Sequence, residues 1–207
     1  MKSARSHRAG LLALALFGVT RVDGSDAPPT PPVAHEVMAP AAAIPGESIY
    51  QLPLQLTLQD GRHMPLAALR GQPLLVTMFY TSCQGVCPLM AFTLRRTMAA
   101  LPEAERARMR VLMVSFDPAR DSSQALRGFA ELNSLGGPSW LLARIEESEV
   151  RELAAVLGIR YRQLPGGMFS HSTIITLLDA DGLIRARTAI LQEVDPALIK
   201  AIGKVLQ

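Results

Sequence analysis

Residues 74–80, LLVTMFY, form an unbroken apolar run behind Gly71 and Pro73, and this pattern predicts a central strand buried on both faces. Upstream, Leu52, Leu54, Leu56 and Leu58 alternate with polar or proline positions, the pattern of a half-buried strand. Asp60-Gly61 turns that strand into a short partner at residues 62–64, so a hairpin opens the fold, and a short helical piece follows at residues 66–69. After the central strand, residues 89–101 read as an amphipathic helix with Leu89, Phe92, Leu94 and Met98 as inward positions.

The alternation continues downstream. Residues 111–116 are a second buried strand, and Asp117-Pro118 ends it. The stretch Arg120-Asp121-Ser122-Ser123 supplies N-cap candidates for a helix through Leu126, Phe129 and Leu132, which Gly136-Gly137-Pro138 breaks. Trp140-Leu141-Leu142 is a short apolar stretch, and residues 145–157 predict another helix closed by Gly158. Residues 174–178 read as a strand that Asp181-Gly182 turns into residues 183–187. Pro196 then opens a terminal helix with Leu198, Ile199, Ile202 and Val205 as its apolar stripe. Helices alternating with buried strands, plus hairpins near both ends, imply an α/β mixed sheet flanked by helices, with an N-terminal β-hairpin extension.

The two cysteines, Cys83 and Cys87, follow the central strand at once. Gln84, Gly85 and Val86 form a turn between them, and Pro88 sits where the first turn of a helix tolerates it. Both sulfurs therefore lie near a helix N-terminus, where unpaired N–H groups and the helix dipole favour thiolate. A dithiol at this strand–helix junction points to the thioredoxin-like fold. Three chemistries suit the pair: a structural disulfide, a reversible dithiol or a soft-metal site. So short a closed loop stabilises by only about 2 kcal/mol, which disfavours the first. A copper site needs a third donor.

His171, in the glycine-containing segment 166–172 just before the strand at 174–178, is the candidate for that donor; the plainer reading is a solvated or capping histidine. The other histidine of the domain is His63, in the first hairpin. Asp117 ends the strand beside the central one, so it either faces the thiols or pairs locally with Arg120. Met168 either offers copper a thioether or, more in keeping with a loop methionine, covers apolar surface, while Met78, Met90 and Met113 occupy core-like positions.

The N-terminus has a different character. Lys2, Arg5 and Arg8 precede an apolar stretch at residues 11–19 that is too short to span a bilayer, the form of an export signal. Residues 1–27 thus read as an export signal or N-terminal tether, residues 28–45 as a Pro/Ala-rich linker carrying His35 and Met38, and residues 46–207 as the folded domain. The leader contributes four basic and two acidic residues, so its removal lowers the formal net charge from +3 to +1. Arg95, Arg96, Arg106, Arg108 and Arg110 cluster as a solvated face, and nothing calls for nucleic acid.

The segments Thr81-Ser82-Cys83-Gln84-Gly85-Val86-Cys87-Pro88 and Val114-Ser115-Phe116-Asp117-Pro118-Ala119-Arg120-Asp121, then Trp140, Gly158 and His171-Ser172, followed by Leu177-Leu178-Asp179 and Gly182, occur in the order of the Sco/SenC family. The chain resembles that family over residues 49–205. The resemblance implies a thioredoxin-like domain at the periplasmic or intermembrane side of a membrane. It also implies copper, as Cu(I) or Cu(II), held by Cys83, Cys87 and His171 and delivered to the copper A subunit of cytochrome c oxidase or to another copper chaperone. The family usually has an acidic residue before the histidine, where this chain has Ser170. A metallochaperone is the leading expectation. The alternative is a periplasmic thiol–disulfide oxidoreductase, with Cys83 attacking, Cys87 resolving and His171 free of metal. Peroxidase chemistry has weaker support, since no proline-containing peroxidatic pattern precedes Cys83.

Overall fold

The computed structural model describes residues 43–207. The expected export signal and most of the expected linker, with His35 and Met38, lie outside the described residues. Residues 43–45 have no regular structure, and the first element, a 3-10 turn at Ile49–Gln51, is capped by the Ser48 hydroxyl, which accepts from the Tyr50 amide.

The hairpin expected from the alternating leucines is present as β1 (Gln55–Leu58) and β2 (His63–Pro65), followed by a 3-10 turn at Leu66–Leu69. Strand β3 (Leu74–Phe79) is buried at every position, as its unbroken apolar run predicts. Helix α1 (Val86–Ala100) and the single turn α2 (Glu103–Arg106) lead to β4 (Arg110–Ser115), and α3 (Ser123–Leu132) leads on to β5 (Trp140–Arg144). The stretch read only as apolar at Trp140 is thus a strand, and the one-turn α2 left no readable period.

Helix α4 (Glu147–Leu157) ends at Gly158, whose φ of 72° gives the left-handed cap that its position predicts. The chain then forms β6 (Tyr161–Gln163), β7 (Phe169–His171), β8 (Ile175–Leu178), β9 (Ile184–Thr188) and α5 (Pro196–Val205). Residues 161–171, where the hydrophobic pattern predicts no strand, form the two-stranded hairpin β6–β7. Three-residue strands are too short to display an alternation.

Seven strands make one sheet in the order β2-β1-β5-β4-β3-β8-β9. Strands β3, β4 and β5 run parallel, and β1, β8 and β9 are added antiparallel at the two sides. Because β1 pairs with β5, the N-terminal hairpin completes an edge of the main sheet rather than standing apart from it. Helix α3 packs on β5 and β1, and α5 on β8 and β9, giving the flanked mixed sheet of the thioredoxin-like class.

The core includes Leu56, Leu75, Val76, Phe79, Leu94, Val111, Met113, Leu142, Leu153, Leu177 and Ile202. Met78 and Met90 are also fully buried. Two expected inward positions of α1 point outward: Leu89 is 37% and Phe92 41% exposed, whereas Leu94 and Met98 are buried. The buried face of α1 is completed by Met90, Ala91, Thr93 and Thr97. The guanidinium of Arg96 lies 5.7 Å from the Phe92 ring centre and covers part of it. Among the described residues, no helix is long and apolar enough to cross a membrane.

Candidate metal centre

Topology brings three separate segments to one edge of the sheet. Strands β3 and β4 run parallel, with Phe79 opposite Ser115, so the loops that follow them leave side by side. Strand β8 runs antiparallel to β3, with Val76 opposite Thr176, so the residues before β8 arrive at the end of β3 where the cysteine turn begins. The Thr77 hydroxyl donates to the Ile174 carbonyl at 2.7 Å and secures that junction. His171, three residues before Ile174, is thereby placed over the dithiol.

The side chains of Cys83, Cys87 and His171 each offer one ligand atom, and these atoms all lie within 4.8 Å of one another. The His171 Nε2 is 3.7 Å from the Cys87 sulfur. Cys87 lies in the first turn of α1 and is fully buried, while Cys83 precedes the helix and is 9% exposed. The Cys87 amide donates to the Cys83 sulfur at 3.4 Å, so Cys83 occupies the anion position at the start of α1, whose Gly85 cap has no side-chain acceptor.

These positions give the thiols opposite chemistry. Burial pushes the Cys83 thiol up, but hydrogen bonds from the Cys87 thiol, the Cys87 and Gly85 amides and the Tyr80 hydroxyl outweigh it, leaving the group below its ordinary value. Burial pushes the Cys87 thiol well up, and its hydrogen bond to Cys83 with the nearby negative charge of Cys83 and Asp121 adds to this. Burial also holds the His171 imidazolium below the ordinary histidine value, opposed by a bond to Ser172.

The His171 Nδ1 is 3.1 Å from the Ser172 carbonyl. A carbonyl oxygen only accepts, so the proton sits on Nδ1 and the lone pair of Nε2 faces the sulfurs. The backbone thus orients the imidazole, and the preceding residue, Ser170, is exposed. The ring is bounded by aromatic side chains, with Phe116 at 4.9 Å and Tyr80 at 6.2 Å between centres, and Phe116 stacks in turn on Tyr161 at 5.0 Å.

Asp117 does not serve as a further donor beside the thiols. Its buried carboxylate is paired with Arg120, the local alternative, and its amide donates to the Ser115 hydroxyl at 2.8 Å. His63 lies in the β1–β2 hairpin, 3.1 Å from the Thr57 hydroxyl, and takes no part in the cluster. Met168 is 59% exposed and covers no core, contrary to the expectation that it shields apolar surface.

A supporting residue was missed in the sequence. Asp121, read there as one of several N-cap candidates, is 1% exposed, and the cap of α3 is the Ser122 hydroxyl. The Asp121 carboxylate accepts from the Thr81 amide at 3.1 Å, the Thr81 hydroxyl at 2.5 Å and the Ser115 hydroxyl at 2.5 Å. It ties the start of the cysteine turn to the end of β4. Only its proximity to Ser115 in the chain hinted at this role, because Thr81 is forty residues away.

An open mixed sheet with a dithiol at the first turn of α1 and an imidazole over it defines a thioredoxin-like protein with a Cys/Cys/His cluster. The SCO1/SenC family matches residues 43–207, and the chain belongs to that family. It is 30% identical over 103 residues to the SCO1 protein homolog of Bacillus subtilis strain 168, covering 49% of this chain and 53% of that protein. The match therefore spans about half the length of this relative. Among solved structures, Arabidopsis thaliana ScoI with copper bound superposes with a TM-score of 0.63 at 18% identity, covering 78% of this chain and 99% of that one. A SCO1/SenC family lipoprotein of Bacillus anthracis gives a TM-score of 0.67 at 19% identity, covering 74% and 92%. At these identities the structural likeness establishes the fold.

Proposed function

We propose that the protein is an exported copper chaperone that binds one copper ion through Cys83, Cys87 and His171 and passes it to the copper A subunit of cytochrome c oxidase. The observation that carries this reading is the convergence of the three ligand atoms within 4.8 Å. Metal–sulfur and metal–nitrogen bonds of about 2.0–2.3 Å place trigonal donors roughly 3.5–4 Å apart, so small side-chain rotations bring this set to bonding distance. Two thiolates and an imidazole suit copper in either oxidation state. The Arabidopsis relative solved with copper bound supports the assignment.

In this reading the chain supplies its ligands unequally. Cys83 is the readily ionised sulfur at the rim, and Cys87 gives up its proton on binding, so loading releases protons and weakens as pH falls. The acceptor's own sulfur and nitrogen ligands replace those of this site one at a time, starting from the exposed side at Cys83. The leader at residues 1–27 and the lipoprotein relative support a periplasmic location with a membrane tether.

The asymmetry of the thiols favours a second reading, thiol–disulfide exchange with an exported protein. Cys83 as thiolate attacks a partner disulfide, expelling one partner sulfur as thiolate. Cys87 then attacks Cys83 in the mixed disulfide and releases the second, so the partner gains two electrons and this chain closes Cys83–Cys87. Closing that bond removes both sulfur ligands, which couples redox state to metal loading.

Titration of the reduced full chain with Cu(I) anaerobically and Cu(II) aerobically tests the first reading. Binding of one copper per chain, weakened by each of Cys83→Ser, Cys87→Ser and His171→Ala, is expected. Tight binding that ignores His171→Ala, or none at all, overturns the three-ligand site and leaves dithiol exchange as the function.

A further inference from the structure

His171 ends a hairpin that is not paired to the seven-stranded sheet, since β6 and β7 form a sheet of their own. An isolated two-stranded ribbon is marginally stable in water, so its contacts with the body decide where His171 stands. Three kinds of contact hold it. Tyr161 stacks on Phe116, and Phe169 meets Tyr80 edge-on with centres 5.2 Å apart. The Phe169 amide reaches the Tyr80 hydroxyl at 3.4 Å, a long hydrogen bond. The third is a charge-assisted hydrogen bond from Arg120.

The Arg120 guanidinium donates from Nε to the Asp117 carboxylate and from Nη2 to the Gly167 carbonyl. Asp117 is itself fixed, being 6% exposed and bonded to Ser115. Gly167 sits at the tip of the hairpin, where its amide donates to the Leu164 carbonyl at 3.1 Å and its φ is 79°, a value that other residues adopt only with strain. A Cβ on Gly167 would run into the guanidinium, so glycine permits the close approach. Arginine suits this place because its planar fork presents two N–H edges in fixed directions, one for the carboxylate and one for the carbonyl.

We infer that Arg120 is a positioning residue: anchored on Asp117, it latches the tip of the β6–β7 hairpin through the Gly167 carbonyl and so sets where His171 stands over Cys83 and Cys87. The consequence for a metal rests on the proposed three-ligand site, whereas the latch itself does not. Its release frees the histidine arm while leaving both sulfurs in place.

Hydrogen exchange on the metal-free full chain tests the latch, with Arg120→Ala, Arg120→Lys and Asp117→Asn compared. The expected result for Arg120→Ala is roughly tenfold faster exchange of the Leu164 and Gly167 amides, with β3 and β4 unchanged, as the loss of one charge-assisted hydrogen bond produces. Arg120→Lys restores part of the protection, because an ammonium reaches one acceptor at a time. In the copper(II)-loaded protein, Arg120→Ala is expected to weaken the nitrogen hyperfine coupling of His171 and lower affinity by about tenfold. Unchanged hairpin exchange, or equal acceleration in β3 and β4, overturns the proposal. If Arg120→Ala does not fold, the milder Asp117→Asn must still show faster hairpin exchange, or the proposal falls. A loosened hairpin in a protein that binds no copper upholds the latch and removes the metal reading alone.

Discussion

The imidazole of His171 lies with Nε2 3.7 Å from the sulfur of Cys87, although 84 positions separate them in the chain. Burial at this contact favours neutral imidazole, so the folded protein takes up the His171 proton at lower pH than the unfolded chain does. The unfolded state therefore binds more protons just below the ordinary histidine value of 6.5. Stability from this group is full above that value and is lost as pH falls through it towards the lower folded pKa. Denaturant midpoints between pH 5 and 7.5, compared with His171→Gln, should show this slope in the wild type and a flatter one in the variant. An NMR titration should place the His171 midpoint below 6.5.

The two thiols should separate under alkylation. Iodoacetamide is expected to modify Cys83 first, with a rate that rises at pH values below the ordinary thiol value of 9.0, because its thiolate forms early and the sulfur sits at the rim. Cys87 is fully buried with its thiol pushed up, so it should react only when the protein opens. Peptide mapping after a short pulse of reagent reads the order directly. Equal labelling of both sulfurs would contradict the asymmetry on which the exchange reading depends.

Asp121 should contribute to stability well beyond an ordinary cap. Asp121→Ala leaves the Thr81 amide and the Thr81 and Ser115 hydroxyls without their shared acceptor in a buried place, at a cost of about 2–4 kcal/mol. In a domain of this size that lowers Tm by roughly 5–15 °C. Asp121→Asn keeps an acceptor oxygen and should cost less. Calorimetry of the two variants measures the difference, and a shift for Asp121→Ala of under 2 °C would remove Asp121 from the list of supports.

The outward face of α1 gives a contrast with its core face. Leu89→Ser and Phe92→Ser should change stability by no more than about 1 kcal/mol, since both positions are partly exposed and Phe92 loses only the cover of Arg96. Leu94→Ala, at a fully buried position, should cost about 2–5 kcal/mol. Urea midpoints are sufficient to read both.

The strand–turn–helix around the cysteines was legible because it is local: an apolar run, a glycine turn and Pro88 suffice to specify β3, the turn and the first turn of α1. The order of the long strands and helices and the left-handed cap at Gly158 were legible for the same reason. His171 stands out as a candidate, yet no pattern marks the segment that carries it as a hairpin. Its three-residue strands are held by Phe116, Tyr80 and Arg120 rather than by any pattern of their own. The inward positions on α1 were only half right, since periodicity marks a stripe without saying how closely the sheet approaches it. Threonines at 93 and 97 took places that larger apolar side chains were expected to fill.

By itself, the sequence determined the long buried strands and the main helices, their order, the dithiol at a helix start and the family to which these motifs belong, because each is encoded in residues near one another. Only the tertiary structure decided that His171 reaches Cys87, that Asp121 is a buried tie and that Arg120 bridges Asp117 to Gly167. Those contacts follow from β8 lying antiparallel beside β3 and β4 parallel to it. Pairing of strands so distant in the chain is settled by packing the whole sheet at once, which no local pattern records.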